Sequence, residues 1–136
     1  MPLNAPYRLP ILALGCATAM LSCSGGARDA ADPVARAQSH LTSGDAASAT
    51  AVLETGGARD AVDPAAACLL GRLYRERGTI QGRLLSQGVL ETARARHPDD
   101  LDVVLELAKT NFAQGFYPDA VRALRKVLAQ DPARCD

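Results

Sequence analysis

The stretch "LDVVLELAKTNFAQGFYPDAVRALRKVLAQDP", residues 101–132, decides how the rest of the chain is read. Leu101, Val104, Leu105, Ala108 and Phe112 recur at intervals of three and four, and so do Ala120, Val121, Leu124, Val127 and Leu128. That is the period of a helix with one apolar face. Asp99 or Asp100 stands just before the first run, where a carboxylate caps the free N–H groups of a starting helix. Gly115 breaks that run, and Pro118 falls at the start of the second, where its missing N–H costs nothing. Two amphipathic helices joined by a tight turn make a helical hairpin.

The hairpin resembles the tetratricopeptide repeat, a helix–turn–helix unit with a period of about 34 residues. With Leu101 as its first residue, Leu107 and Ala108 meet the close-packed Leu-Gly pair, and Gly115 and Tyr117 meet the turn. Ala120 falls at the small site where the two helices cross, followed by Leu124, Val127 and Pro132. The departures are Val104 where Trp is usual, Ala108 for Gly, and Asn111 for Tyr, with Phe112 expected to fill the space beside Asn111.

Working outward, residues 67–98 carry the same signature more loosely. Leu70, Gly71, Tyr74 and Gly78 match the first helix and turn; Ser86, Leu90, Ala93 and Pro98 match the second once about three residues are inserted between the halves. Gly82 and Gly88 are expected to weaken that second helix by up to about 1 kcal/mol each relative to Ala. Residues 34–57 give Ala37, Leu41, Gly44, Ala49 and Leu53 at matching spacings, with short, Ala-rich helices. The reading is all-α: a short α-solenoid of about three hairpins, at residues 32–57, 63–98 and 99–132, within a repeat domain at 32–136. Such hairpins cannot bury their apolar faces alone and must stack. The array ends four residues after Pro132. Either Arg122, Arg125 and Lys126 solvate its last helix, or a partner covers it, or the chain is a non-catalytic fragment of a larger multidomain protein.

A nonapeptide occurs twice, "GGARDAADP" at residues 25–33 and "GGARDAVDP" at residues 56–64. Each copy precedes the first helix of a hairpin. Its Gly pair breaks what came before, while Asp32 or Asp63 caps the next helix and Pro33 or Pro64 takes its first position. The echo is read as a seam between repeats.

Residues 1–22 differ from the rest. A single cation, Arg8, precedes "LPILALGCATAML", which is apolar or small throughout. About 13 such residues are too few to span a bilayer core and read as a signal peptide. "MLSC", residues 20–23, resembles the lipobox of bacterial lipoproteins, which implies lipidation of Cys23 and a flexible tether at 23–31. Met20 and Leu21 depart from that pattern. The alternatives are a soluble secreted or periplasmic protein cut after Ala19, at the A-x-A of residues 17–19, and a retained helix.

Of 136 residues, 15 are basic and 15 acidic. That balance gives no electrostatic basis for binding nucleic acid or an anionic membrane surface. His40 and His97 are the only histidines, and neither has metal-ligand spacing with another His or Cys. His97 reads as a cation at a helix end. No phosphate-binding loop, nucleophile elbow or strand pattern occurs, so no catalytic residue, metal, cofactor or small-molecule substrate is assigned. Cys68 and Cys135 read as a buried small hydrophobe and a tail thiol, with pairing in an oxidising envelope as the alternative.

The repeat resemblance implies a function. In such arrays the first helix of each hairpin lines a concave groove for a partner peptide or helix. By position this gives Val34, Gln38 and Leu41, then Cys68, Arg72 and Arg75, then Asp102, Leu105, Lys109 and Phe112. Arg72, Arg75 and Lys109 are expected to make charge-assisted bonds to an acidic segment or chain terminus. Together the resemblances imply a lipoprotein in the outer membrane of a Gram-negative envelope, facing the periplasm and acting as a protein-interaction scaffold or assembly factor.

Overall fold

A computed structural model describes residues 32–135, with the side chains of residues 134 and 135 excepted. The signal peptide, Cys23, the tether and the Cys135 thiol lie outside the described residues. Six α-helices carry the fold there: α1 (Pro33–Thr42), α2 (Ala46–Thr55), α3 (Pro64–Glu76), α4 (Ile80–Arg96), α5 (Leu101–Ala113) and α6 (Tyr117–Gln130). Each start has a local cause. Asp32, Asp45, Asp63, Thr79 and Asp100 accept backbone N–H groups of α1 to α5, all at 2.9 Å from their closest donor. Pro33, Pro64 and Pro118 occupy the first turns of α1, α3 and α6, where no N–H is missed. Gly44, Gly78 and Gly115 hold left-handed φ values of 80°, 69° and 86° in the three hairpin turns, a conformation costly to any side chain.

The helices pair as α1–α2, α3–α4 and α5–α6, and the pairs stack in order. α3 packs on α1, α2 and α5 as well as on its own partner, so the middle hairpin is enclosed from both sides. The core is built from Leu53, Leu70, Tyr74, Leu90, Val103 and Val127, with small residues where the helices cross. Ala49, Ser86 and Ala120 are all fully buried, one per hairpin, and the Ser86 hydroxyl is satisfied by Thr110 at 2.9 Å. A Cβ on Gly71 would sit 2.8 Å from Leu90 Cγ, so α3 and α4 approach closely at that point; Ala108 takes the matching place in α5.

Four expectations change. The residues inserted in the middle hairpin do not lengthen its turn. They form an added first turn of α4, which has 17 residues against 14 in α6. Gly82, in that turn, is required, because a Cβ there would lie 2.4 Å from the Tyr74 carbonyl oxygen; Gly88 faces open space. Phe112 does not fill the space beside Asn111 but is 62% exposed, edge-on to Tyr117 at 5.2 Å. On α6 only Ala120 and Val127 are buried, while Val121 and Leu128 are exposed.

The second nonapeptide is more than a break. Asp63 and Pro64 start α3 as a cap and first residue. Between Gly57 and Ala61, both left-handed, Ala58–Asp60 forms a single 3-10 turn that packs against α2, α3 and α4. Ala58 and Ala61 are buried, and the Ala61 carbonyl meets His97 Nε2 at 3.0 Å. His97, the residue after α4, thus ties the seam to that helix end.

Candidate functional site

α1, α3 and α5, the first helices of the hairpins, share one face. There Val34, Gln38, Cys68, Arg72, Asp102 and Glu106 border a groove of about 280 Å³. Gln38 and Arg72 reach it from exposed positions. Leu41 and Leu105 are half-buried, Leu41 against the core, and neither lines this groove. Phe112 stands beyond it beside Tyr117 at the start of α6.

The three cations are not three free charges. Arg75 Nη1 meets Glu106 Oε2 at 2.9 Å with side chains only 16% and 14% exposed, and Lys109 Nζ meets Glu106 Oε1 at 2.8 Å. Arg75 also donates to the Glu106 carbonyl at 3.3 Å and to Thr110 Oγ1 at 3.4 Å. Glu106 therefore fastens α3 to α5 and neutralises two of the cations. Arg72 is held more loosely, 3.8 Å from Glu76 on the same helix, where an exposed pair adds little. With Asp102 and Glu106 on its α5 side, the groove is mixed in sign rather than basic. Sequence reasoning placed Asp102 on this face but passed over Glu106, although their spacing of four, with Lys109 three further on, puts all three on one helix face.

Cys68, half-buried in the same groove, is a free thiol. Burial first, then the carboxylates of Asp100, Glu106, Asp102 and Asp63, push its pKa up to about 12. At neutral pH it is a small apolar surface and not a nucleophile.

A second groove, of about 550 Å³, opens between α4, α5 and α6. Glu91, Val104, Leu107, Asn111, Phe116 and Lys126 are among its walls. Val104 and Asn111, two of the departures from the repeat pattern, face the same space. The Asn111 side-chain amide makes no hydrogen bond within the described residues.

A polar cluster holds α2, the seam and α3 together. The Tyr74 hydroxyl donates to Glu54; Arg59 donates to Glu54 at 2.9 Å and to Tyr74 Oη at 3.1 Å. The Arg77 guanidinium lies 5.0 Å from the Tyr74 ring centre. The Tyr74 hydrogen bond, then Arg59, holds the Glu54 carboxyl below its usual range, while burial, then Glu54, raises the Tyr74 hydroxyl. Among the described residues no group of three or more His, Cys, Asp or Glu side chains is placed to hold a metal ion. No described helix is long and apolar enough to cross a membrane.

Residues 87–134 match a family model of the tetratricopeptide repeat. The matched span takes in most of α4 and the whole α5–α6 hairpin. Neither curated proteins nor solved structures gave a match to the chain.

Proposed function

We propose that the chain is a non-catalytic protein-interaction scaffold that takes a partner peptide or helix along the α1–α3–α5 groove. The tetratricopeptide repeat is typically a protein-binding unit, and residues 87–134 match it. The observation that carries the reading is the groove itself, where side chains from the first helix of all three hairpins meet. Gln38, Leu41, Arg72, Arg75, Leu105, Lys109 and Phe112 are the residues proposed for partner contact; Gln38 and Arg72 border the groove itself, and the others flank it on the same helices. Arg72, which lines the groove and is held only loosely, is the cation best placed for it; Arg75 and Lys109 both meet Glu106, Lys109 from a more exposed position. The mixed charge favours a partner with both signs on its docking face, basic toward Asp102 and acidic toward Arg72.

The setting proposed for this scaffold is a bacterial envelope, with a lipid on Cys23 anchoring it to the outer membrane and the repeats in the periplasm. Mass spectrometry of the mature N-terminus tests the anchor. An acylated Cys23 supports it; an unmodified chain starting at Met20 replaces it with a soluble protein.

The groove is tested by capturing partners from an envelope extract with the wild-type chain and with Arg72→Glu combined with Lys109→Glu. Both side chains are about half exposed, so the double variant is expected to fold. A specific partner should be lost or weakened at least about tenfold, the effect of removing charge-assisted bonds. Equal capture by both proteins would remove the groove from the account.

A further inference from the structure

The fold contains one kind of seat twice and fills it once. In the middle hairpin the seat between α2, α3 and α4 is occupied by the seam turn Ala58–Asp60, with Arg59 on Glu54 and Tyr74. One hairpin later, α4, α5 and α6 enclose the open groove of about 550 Å³.

The walls correspond. Leu53 and Leu90 are both fully buried in the second helix of their hairpins, so Glu54 and Glu91, each the next residue, share a position. Tyr74 and Asn111 likewise share one, each four residues before the turn glycine Gly78 or Gly115. What differs is the connection. Residues 56–63 join α2 to α3 and supply the turn; residues 97–100 join α4 to α5 and are too few to supply one.

The chain nevertheless carries a second copy of the plug. Residues 25–33 repeat residues 56–64 with one change, Ala31 for Val62. Val62 is 71% exposed, so the change falls at a side chain the seat does not bury. Ala27 and Ala30 match the buried Ala58 and Ala61, and Arg28 matches Arg59.

We propose that residues 25–31 of a second copy of this chain dock in the α4–α5–α6 groove, with Arg28 on Glu91 and the Asn111 amide in the place of the Tyr74 hydroxyl. Glu91 is available for this. Its present partner, Arg94 at 2.6 Å, is a neighbour on the same helix, and both side chains are substantially exposed.

The plug comes from another molecule because its own cannot reach. Four residues link Arg28 to Asp32, the cap of α1, and span at most about 14 Å. α1 packs on α2 and α3 alone among the described helices. The groove lies two helix layers away, about 16–20 Å before any lateral reach. The contact joins unlike surfaces, so it propagates head to tail and builds a chain of copies unless it closes into a ring. This inference does not depend on the α1–α3–α5 groove and survives or falls separately from it.

The test is sedimentation velocity of the full chain in dilute detergent, from about 1 μM to about 1 mM, a range that brackets weak to moderate association. The wild type should associate with rising concentration, and a synthetic peptide of residues 25–33 should compete. Arg28→Glu and Glu91→Arg should each weaken association about tenfold or more, and the two together should recover most of it. Asn111→Tyr, which restores the hydroxyl that Arg59 meets in the filled seat, should tighten association about threefold or more while the helix content by circular dichroism is kept. A wild type that stays monomeric throughout, association indifferent to the charge reversals and to Asn111→Tyr, or association abolished by Asn111→Tyr would overturn the proposal. Indifference of that kind would assign any association to the apolar leader or to another face.

Discussion

Tyr74 and Asn111 occupy the same position in successive hairpins, yet Tyr74 is fully buried and Asn111 borders an open groove. The tyrosine locks α3 to the seam through Glu54 and Arg59. The asparagine makes no such tie, and α5 is held to α4 instead by Thr110 on Ser86 and by Gln114 on the Arg83 carbonyl. Asn111→Tyr should therefore stabilise the fold by about 1 kcal/mol, the gain of burying part of an aromatic ring. The urea midpoint should rise; a fall would mean that the groove is not shaped to take a ring.

Two glycines of α4 should respond in opposite directions. Gly88→Ala adds a methyl into open space and should stabilise by up to about 1 kcal/mol, the difference in helix propensity. Gly82→Ala drives a Cβ against the Tyr74 carbonyl oxygen, a backbone atom with no rotamer to escape into, and should cost about 2 kcal/mol or more. Thermal midpoints of the two variants check this. Equal shifts would show that the first turn of α4 does not approach α3 as closely as it does here.

The polar cluster makes stability depend on pH at both ends. Glu54 is held below its usual 4.5, first by the Tyr74 hydroxyl and then by Arg59. Its folded pKa is the lower one, so its stabilisation is complete above the unfolded value and disappears as pH falls through the folded value. Tyr74 is raised above its usual 10.0, first by burial and then by Glu54. Its stabilisation is complete below 10.0 and disappears as pH rises through the folded value. Urea midpoints from about pH 3 to about pH 11 should drop at both ends. Glu54→Gln should flatten the acid side, and Tyr74→Phe the alkaline side. Unchanged profiles in both variants would contradict the cluster.

Cys68 should be a poor nucleophile. With its pKa pushed up to about 12, its thiolate is scarce at pH 8. Alkylation mapped to the Cys68 peptide should be about a hundredfold or more slower in the folded chain than in urea. Comparable rates would show the thiol open to solvent.

The helical hairpins were legible because their signals are local. Apolar residues at spacings of three and four, Asp and Thr caps, and turn glycines act within one or two turns of where they are read. Asp63 and Asp100 cap α3 and α5, and Gly115 is left-handed, on local grounds alone. The site was legible only in outline. Gln38 and Arg72 stand where their helix positions put them, but the fate of Arg75 depended on Glu106, 31 residues away in sequence. The need for Gly82 likewise came from a carbonyl on another helix, and the filling of the middle seat from a turn folded back between helices. Phe112 is exposed where burial was expected because helical period alone does not say which of two neighbouring positions on α5 turns inward.

The central claim is that partners bind along the first helices of the hairpins. Hydrogen exchange read by mass spectrometry, on the chain alone and with a captured partner, tests it most directly. Without partner, the slowest amides should lie in α3 and α4, the hairpin packed on both sides. With partner, added protection should fall on α1, α3 and α5, centred on Gln38, Arg72 and Lys109. Protection confined to α2, α4 and α6, with α1 and α3 unchanged, would contradict the account.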